Sequence, residues 1–60
     1  MYIPKDPFML LSFINTQLRD NYKSLDDFCK ANDVDKQEIL APLTAAGYFY
    51  DPKANCFSEK

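Results

Sequence analysis

The side chains that could do chemistry in this chain of 60 residues are few, and their spacing does not favour catalysis. The sequence contains no His, which removes the commonest general base and the commonest metal ligand. Cys29 lies on an apolar helix face with no His to activate it, and Ser12, Ser24 and Ser58 have no partner base. So short a chain also rarely encloses a walled catalytic pocket. We therefore expect no enzymatic activity, no catalytic residue and no cofactor.

The acidic residues and the cysteines do not have the spacing of a metal site. The adjacent aspartates at 26–27 would point in different directions on a helix. The run at 33–35 alternates like the start of a calcium loop, but it lacks the Gly and the closing Glu of such a loop. Cys29 and Cys56 match neither a zinc motif nor a dense disulfide scaffold. We interpret them as reduced thiols of a cytosolic protein, with one disulfide as the alternative, and we expect no bound metal.

Aromatic and basic side chains are the remaining candidates for a binding function. Aromatic residues make up 15% of the chain, and we interpret most of them as the core of a small domain, including Phe8, Phe13, Phe28, Phe49 and Phe57. Tyr2 and Tyr50 are candidates for stacking on bases or for gripping a peptide. The candidate interaction surface adds the lysines of the amino-terminal segment, the first connector and the hairpin tip: Lys5, Lys23 and Lys53.

The distribution of charge argues against nucleic-acid binding. The net charge is −2, and residues 24–47 alone hold two lysines against five acidic residues. Residues 1–23 have a surplus of one positive charge, and residues 48–60 are balanced. Proteins that bind DNA meet the phosphates with several Lys or Arg side chains. Residues 24–47 instead carry a net negative charge, which would repel the phosphates.

The first helix is predicted over about residues 7–20. Asp6 is a suitable N-cap, and Pro7 suits the first helical position, where no N–H is needed. Apolar residues then recur at the spacing of one helical face, which is formed by Pro7, Leu11, Ile14 and Leu18 and widened by Leu10 and Phe13.

Two further helices are predicted over about residues 24–32 and 35–46. Ser24 is the N-cap of the second helix. Asp35 and Glu38 have the spacing of a capping box at the start of the third helix.

The end of the third helix carries one conflicting signal. Gly47 suits the left-handed position that ends a helix. Pro42 removes a hydrogen bond inside the helix, so the helix either bends there or starts in a tighter turn.

A β-hairpin is predicted over residues 48–58, in which Asn55 suits the left-handed position that closes the turn. These elements predict one mainly α domain of the α+β class over residues 1–60.

The element order resembles that of a winged helix-turn-helix domain. The stretch from Ser24-Leu25-Asp26 through Val34-Asp35 to Gly47-Tyr48 carries this resemblance, which covers about residues 8–58. It implies a three-helix domain with a hairpin wing, and it says little about function.

The chain also looks like a family of short bacterial proteins known only as a domain of unknown function. The residues that carry this likeness are Pro4-Lys5-Asp6-Pro7, Leu18-Arg19-Asp20, Ser24-Leu25-Asp26, and Gly47-Tyr48 with Tyr50-Asp51. The resemblance implies a bacterial cytoplasmic setting. It brings no activity, catalytic residue or cofactor with it.

The apolar run at 8–14 is broken by Ser12 and is shorter than the roughly 20 residues of a membrane span. No signal-peptide cleavage site follows it. We therefore expect a cytoplasmic protein with no membrane partner.

The leading hypothesis is a module that acts through protein–protein interaction or self-association. The alternative is a nucleic-acid-binding transcriptional regulator that uses the lysines of the amino-terminal segment and the wing.

Overall fold

The computed structural model describes residues 2–59 and confirms the predicted class, three helices followed by an antiparallel hairpin. Met1 and Lys60, the ends of the predicted 1–60 domain, lie outside the described residues. The elements are α1 (Pro7–Asp20), α2 (Leu25–Asn32), α3 (Lys36–Ala45), β1 (Tyr48–Asp51) and β2 (Cys56–Glu59). The likeness to winged helix-turn-helix proteins rests on this order and stays a prediction.

The predicted N-cap residues of the three helices are confirmed, although the side chain of Asp35 accepts from a different N–H than predicted. Asp6 accepts a hydrogen bond from the backbone N–H of Met9, and Pro7 is the first residue of α1. Ser24 caps α2 in the same way. The predicted 24–32 and 35–46 each included cap residues, which lie just outside the helices.

The partner of Asp35 differs from the predicted one. The Oδ1 atom of Asp35 accepts from the N–H of Gln37 at 3.0 Å, whereas the N–H of Glu38 donates to the backbone carbonyl of Asp35. The Asp35 side chain therefore caps the second position of α3 instead of the third.

The end of α3 follows the prediction for Gly47. This residue has a φ of +92°, and its N–H donates to the carbonyl of Thr44 at 3.0 Å. Pro42 lies inside α3, which continues through it without a break to Ala45.

The core lies between α1, the two shorter helices and the inner face of the hairpin. Its buried apolar residues are Leu10, Ile14, Leu18, Leu25, Phe28, Cys29, Ile39, Leu43 and Phe57. Leu10 is the fully buried residue of the first turns of α1, whereas Leu11 and Pro7 are only half-buried. The predicted positions Ile14 and Leu18 are buried, and only in the first turns does Leu10, predicted to widen the stripe, take the place of Leu11.

The assignment of all five phenylalanines to the core was wrong for two of them. Phe28 and Phe57 are buried and Phe13 is half-buried, but Phe8 is 65% exposed and Phe49 is 40% exposed. Phe8 follows Pro7 in the first turn of α1, on the side away from Leu10. Phe49 lies on the outer face of its strand, where the burial alternates.

Candidate functional site

The outer edge of β2 is closed by a side chain of α1. The N–H of Phe57 donates to Oδ1 of Asn15 at 2.7 Å, and Nδ2 of Asn15 donates to the carbonyl of Phe57 at 3.0 Å. One amide side chain thus satisfies the donor and the acceptor that Phe57 turns away from β1. This fixes the hairpin against the middle of α1.

The hairpin turn is held by a second amide side chain. Asn55, with a φ of 53°, donates through Nδ2 to the carbonyls of Leu18 and Tyr22 at 3.1 and 3.0 Å. Its Oδ1 accepts from the hydroxyl of Tyr50 at 2.8 Å, and that hydroxyl accepts from the N–H of Leu25 at 3.2 Å. The turn, the end of α1 and the start of α2 therefore meet at Asn55.

The outer edge of β1 differs from that of β2. Tyr50 pairs with Phe57, whose N–H and C=O point to Asn15 and not to β1. Residue pairs in an antiparallel ladder alternate between hydrogen-bonded and non-hydrogen-bonded, and Tyr50–Phe57 is of the second kind. Tyr48 is two residues from Tyr50, so both residues point their backbone N–H and C=O groups away from β2. Within residues 2–59, these backbone groups have no hydrogen-bond partner.

The structure separates the predicted lysines into two groups. Lys23 and Lys53 lie on the connector and the turn that Asn55 brings together. Lys5 precedes the start of α1, and α1 with its 14 residues spans about 20 Å. Lys5 instead lines a cleft with Ile3, Pro4, Glu38 and Pro42.

The predicted tyrosines also have different surroundings. Tyr2 is 77% exposed on the segment that leads into α1. Tyr50 is half-buried, its ring packs on that of Phe57 at a centroid distance of 5.4 Å, and its hydroxyl belongs to the Asn55 network.

Two ion pairs occupy exposed charges near the helix ends. Lys36 at the start of α3 pairs with Asp26 at the start of α2, and this hydrogen-bonded contact lowers the pKa of Asp26 and raises that of Lys36. Arg19 contacts its neighbour Asp20 at 2.9 Å, and the same kind of hydrogen bond lowers the pKa of Asp20. The basic residue of α3's first turn is thus already neutralised.

Large apolar side chains are exposed at the amino-terminal end of α1. Phe8 and Met9 are consecutive in the first turn and are 65% and 63% exposed, and Tyr2 lies on the segment that leads to this end. We call Phe8 and Met9 the amino-terminal apolar surface. The ring of Phe8 meets that of Tyr48 edge to face, with centroids 6.4 Å apart, so this surface borders the start of β1.

A cleft of about 540 Å³ lies between α1 and the hairpin turn. Its lining residues include Ser12, Thr16, Arg19 and the half-buried Cys56. The other cysteine, Cys29, is buried, and burial raises the pKa of its thiol.

Among residues 2–59 there is no group of three His, Cys, Asp or Glu side chains placed to hold a metal ion. That part of the chain also holds no helix of the length and hydropathy needed to cross a membrane.

Comparison with known proteins supplies the family. A family model described as "Domain of unknown function (DUF4250)" matches residues 4–57, which is nearly the whole chain. The chain belongs to this family. The predicted likeness to a domain of unknown function is thereby confirmed. No curated protein and no solved structure matches the chain.

Sequence reasoning missed Asn15, Phe8 and Met9. Asn15 directly follows the buried Ile14, beside the apolar face of α1. A polar side chain at this position was the available signal that its amide has a partner. Phe8 and Met9 directly precede the buried Leu10 in an unbroken apolar run, so periodicity alone did not show which of these residues face outward.

Proposed function

We propose that this domain acts by binding another protein and that it catalyses no reaction. The observation that carries the proposal is the amino-terminal apolar surface, where the consecutive residues Phe8 and Met9 are each more than 60% exposed. Isolated apolar side chains are common on protein surfaces, but neighbouring large ones are typical of interaction sites. Aromatic residues and Met are also the types that protein interfaces favour.

The charges beside this surface favour a protein over a nucleic acid as the partner. Lys5 is the nearest lysine in sequence, and it shares its cleft with the acidic Glu38. The exposed start of α3 presents Asp35 and Glu38, while Lys36 is paired with Asp26. A phosphate backbone would meet negative charge at the helix that a winged-helix DNA reader inserts into the groove.

The two free thiols support action in the cytoplasm. Cys29 and Cys56 are not joined in a disulfide, and a reducing compartment keeps thiols in that state. The proposed setting is therefore the bacterial cytoplasm that the family resemblance implies.

Site-specific photocrosslinking tests the proposal. A photoreactive phenylalanine analogue replaces Phe8 in cells that produce the chain, and the same analogue replaces Lys30, an exposed residue of α2, as the control. We expect a discrete crosslinked protein from position 8 only. The crosslink should weaken when purified unmodified domain competes for the partner, and it should persist when the competitor carries Met9→Ser. Equal crosslinking from both positions, or none from position 8, would contradict the proposal.

Nucleic-acid binding is the second candidate, and it rests on the placement of Lys23 and Lys53. The Asn55 hydrogen bonds bring together, beside the turn, the two segments that carry these lysines. The test is an NMR titration with duplex DNA at low salt, in which the amide shifts of residues 22–24 and 52–54 are followed. Shifts there that disappear in Lys53→Gln, or on raising the salt, would favour the regulator. Unchanged shifts would exclude it.

A further inference from the structure

We infer that the outer edge of β1 pairs with the same edge of a second copy of this chain, so that two hairpins form one four-stranded antiparallel sheet. This inference rests on the proposed function, since it names a second copy as one protein that the domain binds. It uses the backbone edge of β1, which borders the amino-terminal apolar surface at Tyr48 but includes neither Phe8 nor Met9. The two can therefore fail separately.

The backbone of β1 supplies the first argument. Within the described residues, Tyr48 and Tyr50 leave two N–H donors and two C=O acceptors unpaired on the side away from β2. An exposed row of such groups is a template for another strand. β2 offers no such edge at Phe57, because Asn15 occupies it.

The edge is complementary to itself. If two copies meet about a twofold axis at Phe49, Tyr48 of each copy lies opposite Tyr50 of the other. Each of these two pairs then exchanges two N–H···O=C bonds, which satisfies all four donors and all four acceptors of the two edges. Such an interface is isologous, as most homodimer interfaces are.

The side chains tolerate this register. Phe49 projects from the outer face, and at the axis it would lie directly opposite Phe49 of the second copy, in the closely spaced kind of strand pair. Asp51 would lie opposite Gly47, so no like charges face each other across the edge. β1 itself carries no lysine, the residue that commonly guards an exposed edge.

Space around the edge is available on both faces of the hairpin. On the inner side a cleft of about 260 Å³ runs between the strand and the helices, lined by residues that include Leu25, Leu40 and Tyr50. On the outer side a second cleft of about 350 Å³ is lined by Phe49, Asp51 and Ser58 among others.

The size of the edge sets the strength of the dimer. A stable interface covers roughly 800 Å² on each partner, which is about a fifth of the 4095 Å² surface of this chain. A four-residue strand covers less, so we expect a weak dimer that forms as the protein concentration rises. Pro52 directly follows the strand and cannot donate to a ladder, which limits pairing to this short register.

The first experiment measures the full chain itself. Sedimentation equilibrium is run from low micromolar concentration to about 1 mM, a range that detects millimolar dissociation constants. In parallel, NMR on a mixture of labelled and unlabelled chains records contacts between copies. We expect a monomer–dimer equilibrium, intermolecular contacts between Tyr48 and Tyr50, and slower amide exchange at these two residues when the concentration is raised. A monomer throughout the range, or a dimer without these contacts, would overturn the inference.

A matched pair of variants adds a second readout. Phe49→Lys places two like charges at the axis, and we expect it to weaken the dimer at least about tenfold. Ser58→Lys adds the same charge to the same outer face, but on β2 and away from the axis, so dimerisation should persist. Circular dichroism establishes that each variant is folded. Equal weakening by both variants would contradict the register, and the exchange data on the unaltered chain decide the matter if Phe49→Lys does not fold. A monomeric chain that still crosslinks through position 8 would refute the dimer alone and leave the proposed function standing.

Discussion

The side-chain amide of Asn15 forms both of its hydrogen bonds with the backbone of one residue, Phe57, 42 positions later in the chain. Asn15 thereby presents to β2 the same donor and acceptor that a neighbouring strand would present. Within residues 2–59, β2 pairs with no strand but β1, so its other edge would be exposed without this contact. A single helix residue thus completes a hairpin that would be unstable alone in water.

We expect Asn15→Ala to lower the free energy of unfolding by about 1–3 kcal/mol, because it leaves the N–H and C=O of the buried Phe57 without partners. Urea unfolding followed by circular dichroism measures the change. Asn21→Ala is the control, since Asn21 is exposed at the end of the same helix and its amide bonds only to the Gln17 side chain among described side chains. A loss of equal size in both variants would show that the Phe57 contact has no special weight.

Tyr50→Phe tests the network at the hairpin turn. The substitution keeps the ring against Phe57 but removes the hydroxyl that links Leu25 to Asn55. We expect a loss of about 1 kcal/mol in unfolding free energy. Tyr2→Phe removes the same hydroxyl from an exposed ring and should be neutral within error in the same urea titration. If Tyr50→Phe is equally neutral, the bonds to Leu25 and Asn55 do not stabilise the fold.

The sequence was sufficient to predict the elements because their ends carry local signals. Asp6, Ser24 and Asp35 cap helices through atoms only two or three residues away, and Gly47 and Asn55 adopt the left-handed backbone that their residue types permit. Interactions of this range can be inferred from a window of a few residues.

The candidate surfaces could not be predicted in the same way, because they depend on contacts between distant residues. The capping role of Asn15 requires the position of Phe57, and the separation of Lys5 from Lys23 requires the course of α1. Phe8 faces outward because Leu10, two residues later in α1, is the residue that is buried in the core. Which edge of the hairpin is covered is likewise a property of the packed fold.

We expect Gly47→Ala to cost about 1 kcal/mol of unfolding free energy. An added Cβ would meet no atom within 4 Å, so the cost comes from the φ of +92° and not from a clash. Gly47→Asn should cost less, because Asn tolerates positive φ better than Ala. Thermal and urea unfolding of the two variants measure the order, and a more stable Ala variant would contradict it.

The ion pair between Asp26 and Lys36 makes stability depend on pH. Its hydrogen bond lowers the pKa of Asp26 in the folded state, with a smaller contribution from Lys30. The pair therefore contributes stability above the ordinary Asp pKa of about 4, and this contribution is lost as the pH falls through the lower folded value. We expect Asp26→Asn to unfold at lower urea than the unaltered chain at pH 7, and the difference to vanish near pH 2. Asp27→Asn makes the same change of charge one residue away, and it should show less of this dependence if the Lys36 contact is the cause.

The two thiols should react with an alkylating agent at different rates. Burial raises the pKa of Cys29, so at pH 7.5 this thiol is protonated as well as covered by the core, whereas Cys56 is half-buried at the edge of the cleft beside α1. We expect iodoacetamide, followed by mass spectrometry, to modify Cys56 first and Cys29 in a slower phase that requires opening of the core. The variant Cys56→Ser should retain only the slow phase, and that phase should become fast in denaturant. Equal rates for the two residues in the folded chain would contradict the position of Cys29 in the core.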